Sequence, residues 1–168
     1  GHLDDDGYLF ITGREKDLII RSGHNIDPAS IEAVASQHPA VALSAAIGMP
    51  DAYAGEVPVL FVTAVAGQRI DEAALARHLQ EHVSEPPARP RHIYVLDTMP
   101  VTAVGKIFKP ALRERALEHK LRMEVLALGL PVQVQEVRTA DAPAGGVALV
   151  LELGSAAPCS AQDVEERL

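Results

Sequence analysis

Pro100-Val101-Thr102-Ala103-Val104-Gly105-Lys106-Ile107-Phe108-Lys109 places a lysine directly after a glycine, in a stretch of loop composition just ahead of a helix. A Gly-Lys pair suggests a phosphate-binding loop, but that motif needs G-x-x-x-x-G-K-[ST]. Five residues before Gly105 stands Pro100, not glycine, and Ile107 follows Lys106 where a hydroxyl would be needed. Lys106 therefore calls for another chemistry.

The surrounding chain alternates strand-like and helix-like segments. After the loop, Pro110 opens a helix expected to run to about Leu128, with Gly129 as its stop. Before it, His92 to Leu96 reads as a strand, and residues 84–90, with three prolines, as a loop. Asp71 caps a helix with Leu75, Leu79 and Val83 on one face, and Ile70 and Leu75 stand at hydrophobic-staple positions. Val41 to Ile47 and Val57 to Val65 read as strands separated by a turn at Gly48-Met49-Pro50-Asp51. Asp27 caps a further helix, with Pro28 in its first position. Residues 8–20 read as two short strands around a turn, and Ser22-Gly23-His24-Asn25 as a loop. With no uninterrupted alternation of strand and helix, the fold class is α+β: a small mixed or antiparallel sheet with flanking helices, preceded by a β-hairpin. Past residue 120 the character changes. Val132, Val134 and residues 146–153 suggest a second hairpin joined by a loop at 139–145, and Ser160 a cap for a short terminal helix.

The 168 residues carry a formal net charge of −8, the wrong sign for a nucleic-acid binder, and aromatics at 4% leave few stacking platforms. No apolar run approaches the length of a membrane span. The acidic start Gly1-His2-Leu3-Asp4-Asp5-Asp6 is unlike a signal peptide, and with no initiating methionine the chain reads as part of a longer polypeptide. One cysteine, Cys159, excludes an internal disulfide and suits a reducing, cytoplasmic setting. The 7 histidines are scattered without zinc spacing, and Asp4-Asp5-Asp6 reads as a polar turn, so no metal ligands are assigned.

A second stretch gives the Gly-Lys loop its context: Gly13-Arg14-Glu15-Lys16-Asp17-Leu18-Ile19-Ile20-Arg21-Ser22-Gly23-His24-Asn25-Ile26-Asp27-Pro28, closing with Ile31-Glu32. Its form is G-R-x-x-D-x-I followed by G-x-N-I-x-P-x-x-I-E, and the later stretch has the form P-x-T-x-x-G-K-I. In this order, behind Leu3-Asp4-Asp5-Asp6-Gly7-Tyr8, they resemble the C-terminal domain of the adenylate-forming (AMP-binding) enzymes. That superfamily includes acyl-CoA synthetases such as fatty-acid–CoA ligases, luciferases and the adenylation domains of nonribosomal peptide synthetases. The resemblance covers about residues 1–115. Residues 116–168 are expected to form a helix and hairpin-like extension packed on that domain.

The resemblance implies a two-step ligase. A carboxylate attacks the α-phosphate of ATP to give acyl-adenylate and pyrophosphate; the thiol of CoA then attacks the adenylate to give a thioester. The small domain is a lid that swings between the two steps about a hinge near Lys16. Lys106 becomes the adenylation lysine, a compact cation that holds carboxylate and phosphate together and stabilises the charge that develops. Gly105 supplies loop flexibility. Arg14 corresponds to the nucleotide-contacting arginine. Gly23, flanked by Ser22 and His24, lines the pantetheine channel of CoA, His24 as a loop residue rather than a base. Asn25 stands where some acyl-CoA synthetases carry a phosphate-contacting arginine, so that contact is not transferred, and Val101 and Val104 replace more usual polar residues. ATP and Mg2+ belong mainly to an N-terminal domain of the same polypeptide, so the fragment alone is expected to be inactive. The alternatives are the lid of a ligase that loads a carrier protein, and a non-catalytic interaction module.

Overall fold

The computed structural model describes residues 2–10, 17–127, 132–141 and 147–155. The chain divides into two compact units, Gly1–Leu112 and Arg113–Leu168. In the first unit, β1 (His2–Leu3) pairs antiparallel with β2 (Leu9–Phe10). The turn between them is the polar one expected of Asp4-Asp5-Asp6: Asp4 Oδ1 accepts from the N–H groups of Asp6 and Tyr8.

The main sheet has the order β4-β3-β6-β5, from β3 (Ile19–Arg21), β4 (His24–Ile26), β5 (Val41–Asp51) and β6 (Gly55–Ala64). A fifth strand, β7 (His92–Leu96), pairs parallel with β6 from Val59↔His92 to Thr63↔Leu96. Strand β6 is buried at every position from Val57 to Thr63, which marks a central strand covered on both faces. On one face lie α1 (Pro28–Ala35) and α2 (Glu72–His82), whose Ile31, Ala35, Leu75 and Leu79 pack with Ile19, Ile26, Ala46, Leu60 and Val62. Both helices start as read from sequence. Asp27 Oδ1 accepts from Ala29 N–H, and Asp71 Oδ1 from Ala73 and Ala74 N–H, satisfying donors that a first turn leaves free. The staple residue Ile70 packs on the cluster that contains Leu75.

Four expectations need correction. The apolar run at residues 9–10 partners upstream with β1, whereas β3 pairs with β4 and, at Arg21↔Gly55, with β6. Period and composition mark strands but do not name partners. The turn placed at Gly48–Asp51 is strand; the reversal comes later, where Asp51 Oδ1 accepts from Tyr53 and Ala54 N–H. Pro50 is tolerated because β5 is an edge strand with one neighbour. Of the loop read at residues 22–25, only Ser22 and Gly23 turn; His24 and Asn25 belong to β4. A parallel β6-α2-β7 unit is present, although the proline-rich segment around a 3₁₀ turn at Pro86–Ala88 hides the alternation in sequence.

Helix α3 (Lys109–Ala127) begins in the first unit and continues into the second. Beyond it, β8 (Val132–Asp141) and β9 (Val147–Ser155) form the expected antiparallel hairpin. Of the loop read at residues 139–145, Thr139 to Asp141 belong to β8 instead; the rest of it, the Gly129 stop, Cys159 and the Ser160 cap lie outside the described residues.

Candidate functional site

Lys106 sits on a short hairpin. Val101 and Ile107 form an antiparallel bridge, and Phe108 N–H donates to Pro100 O at 2.8 Å. Inside it, Thr102 N–H donates to Lys106 O at 2.7 Å and Gly105 N–H to Thr102 O at 2.8 Å. The Thr102 hydroxyl accepts from Lys106 N–H at 3.2 Å. This is a three-residue hairpin loop closed by a left-handed residue, and Gly105 takes that place at φ 77°. The T-x-x-G-K spacing thus has a local cause. Threonine ties the loop across its neck with its backbone and hydroxyl, glycine makes the reversal, and the lysine follows at once.

Lys106 is exposed, and among the described residues nothing pairs with its ammonium group. Around it Val101, Val104 and Phe108 are exposed apolar residues, Val104 to 79%. The loop is nevertheless rooted: Met99 before it and Leu112 after it are buried. At its base Lys109 Nζ lies 2.8 Å from Glu32 Oε1, the last residue of the first sequence stretch.

The second constellation is the β3–β4 turn. Arg21 faces His24, and between them Ser22 (φ 48°) and Gly23 (φ 82°) are both left-handed, the geometry of a two-residue type I′ hairpin. Ser22 N–H donates to Ala54 O at 2.7 Å, and Arg21 Nη1 to Pro87 O at 2.7 Å. These two bonds fix the turn against the β5–β6 reversal and the proline-rich segment. The result is a cleft of about 330 Å³ lined by Arg21, Ser22, His24, Pro86 and Pro87. Ser22, Gly23 and His24 are exposed, and a Cβ added at Gly23 would meet nothing within 4 Å.

Arg14 and Lys16 lie outside the described residues. Among those described, no group of three His, Cys, Asp or Glu side chains is placed to hold a metal ion. Reading the sequence passed over the Thr102 hydroxyl and the Glu32–Lys109 pair, although Glu32 closes the first motif and Lys109 follows Gly-Lys-Ile-Phe directly.

A family model described as the AMP-binding enzyme C-terminal domain matches residues 30–106, from helix α1 to the lysine itself. The chain carries the C-terminal domain of an adenylate-forming enzyme. Marinolic acid–CoA ligase of Pseudoalteromonas sp. (strain SANK 73390) is 46% identical over 128 residues, 76% of this chain and 20% of that protein. The crystal structure of apo MatB from Rhodopseudomonas palustris matches at 36% identity with a TM-score of 0.59, over 68% of this chain and 23% of MatB. The o-succinylbenzoate CoA synthetase MenE from Bacillus subtilis, in complex with its acyl-adenylate intermediate, matches at 33% identity and a TM-score of 0.61, over 67% and 23%. The chain spans about a fifth of the length of the curated relatives it matches. No helix among the described residues is long and apolar enough to cross a membrane.

Proposed function

We propose that residues 1–115 are the mobile lid of a cytoplasmic, AMP-forming acid–thiol ligase that converts a carboxylic acid of the fatty-acid type into its CoA thioester. The observation that carries this reading is the Lys106 ammonium, without a partner among the described residues, on a tied and rooted hairpin. The tied backbone at such a place spares the cost of ordering the loop, and the charge is available to a ligand. The names of the relatives, CoA ligases from several organisms, support CoA as the acceptor.

In the first half-reaction Lys106 enters the site of the N-terminal domain and lies between the acid's carboxylate and the α-phosphate of ATP. The carboxylate oxygen forms a bond to phosphorus while the bond to the pyrophosphate oxygen breaks. The ammonium group screens the repulsion of the two anions and stabilises the charge gained in the transition state. Mg2+ would be held by the N-terminal domain and neutralise phosphate charge there. The lid then turns about Lys16, withdrawing Lys106 and bringing in the Ser22-Gly23 turn. The CoA sulfur attacks the acyl carbon, AMP leaves, and the thiol proton is released. Ser22, Gly23 and His24 border the pantetheine arm; Arg14 contacts the nucleotide. Residues 116–168 form an extension outside this cycle.

The test separates the half-reactions in the polypeptide that joins this domain to its ATP-binding partner. Lys106→Ala is expected to abolish ATP–pyrophosphate exchange and to leave thioester formation from pre-made acyl-adenylate nearly unchanged. Equal loss of both would make the lysine structural. The 168-residue chain alone is expected to give no exchange; robust exchange would refute the lid assignment.

A further inference from the structure

We propose that Glu32 and Lys109 are positioning residues for Lys106, a brace that ties the base of the lysine hairpin to the sheet; this rests on the adenylation reading above. The Glu32 carboxylate is already fixed before Lys109 arrives. Its Oε1 accepts from Ala46 N–H at 2.9 Å, which locks it to β5. Its backbone carbonyl also receives the Ser44 hydroxyl at 3.2 Å and the Ser36 hydroxyl at 2.6 Å. Glu32 is thus a rigid anchor reaching from α1 to the sheet, and Lys109 is the part that attaches to it, at 2.8 Å. The two side chains are 20% and 25% exposed, so solvent and salt screen the pair less than a surface ion pair, while neither charge is fully desolvated.

Two features argue that the pair serves the loop and not merely the fold. Lys109 is the first residue of α3, where the helix dipole disfavours a cation, and the first turn carries no acidic residue. A local preference is broken there, and such conflicts concentrate at functional places. The attachment of the segment to the core, moreover, is already provided by buried Met99 and Leu112. What those apolar contacts do not supply is direction. Lys109 is three residues from Lys106, at most about 10 Å of extended chain, so fixing its ammonium group limits where the hairpin can point. The closing residue of the first motif thereby grips a lysine two residues past the end of the second.

The test uses Glu32→Gln and Lys109→Met in the joined polypeptide. Glutamine keeps an acceptor for Ala46 N–H and removes only the charge; methionine keeps the apolar stem. Each is expected to slow adenylation about tenfold, short of the hundredfold that an ångström of misplacement can cost. KM for ATP and thioester formation from pre-made acyl-adenylate should stay within about twofold of the parent. The double variant should be no slower than the slower single one, and Lys109→Arg should restore the rate. In the 168-residue chain, Glu32→Gln should speed amide hydrogen exchange at 102–107 and leave the amides of β5 and β6 unchanged. Proportional loss of both half-reactions, additive singles, or unchanged exchange at 102–107 would overturn the brace. If Lys106→Ala itself spares adenylation, the functional reading fails instead, and the exchange experiment alone decides whether the pair orders the loop.

Discussion

The turn at Ser22-Gly23 and the loop at Ala103-Val104-Gly105 are both hairpin connections with a left-handed glycine near φ 80°, and they are held in opposite ways. The first depends on distant segments: its backbone bonds to Ala54 O, and Arg21 reaches Pro87 O across 66 residues. The second is tied within itself, through Thr102 and its own neck, and its base is held by the pairing of Lys109 with Glu32 of α1. They also present different chemistry. The first offers backbone and a cleft, with the Arg21 guanidinium engaged by a carbonyl; the second offers an ammonium group, unpaired among the described residues, amid exposed apolar side chains. A turn that must border a thin ligand gains from being fixed to a wall. A loop that must carry one charge into another domain gains from being self-supporting.

The largest effect that would break this contrast is at the lysine. Lys106→Ala should lower the adenylation rate about a hundredfold or more, ~3 kcal/mol by analogy with loss of a transition-state donor. Stopped-flow rates of each half-reaction check it, and a matching fall in thioester formation would erase the distinction. Next comes Gly23→Leu, expected to slow thioester formation at least about tenfold, ~1.4 kcal/mol, and adenylation by less than about twofold. Because Gly23 is left-handed, a leucine there also carries backbone strain of about 1–2 kcal/mol. Gly23→Asn sharpens the result, since asparagine tolerates that conformation while still adding bulk. It should keep the parent's Tm and lose part of the thioester rate; if both variants merely lower Tm, the glycine serves the turn alone.

Gly105→Ala should destabilise its loop by about 1 kcal/mol, since a Cβ there meets nothing within 4 Å and only the positive φ opposes it. Thermal unfolding should change by a few degrees at most, with adenylation affected more than thioester formation. The smallest effect is expected for Thr102→Val, which keeps the shape and removes the acceptor for Lys106 N–H. Losing one exposed hydrogen bond of roughly 1 kcal/mol or less should slow adenylation up to about fivefold. A rate equal to the parent's would show that the backbone neck alone holds the lysine.

Much of the frame was legible. Asp27 and Asp71 sit one residue before their helices, and Leu75, Leu79 and Val83 line one buried face because four-residue spacing repeats with the helical turn. The two motifs likewise marked both turns by residue type. Strand limits were less legible: Gly48 and Pro50 look like turn residues, yet they lie in a strand whose other edge is open. Glu32 gave no sign of its partner, because an acidic residue on a short helix usually faces solvent.

What the sequence by itself determined is whatever acts within a few residues: helix starts, apolar periodicity, and a hairpin loop in which Thr102, Gly105 and Lys106 satisfy one another. Those hydrogen bonds close locally, so the pattern of residues suffices to specify them. Only the tertiary structure decided that β3 pairs with β6 as well as β4, that Pro86 and Pro87 wall the Ser22-Gly23 turn, and that Glu32 meets Lys109. Apolar burial drives the chain together without direction, so which distant polar groups become neighbours follows from how the whole core packs.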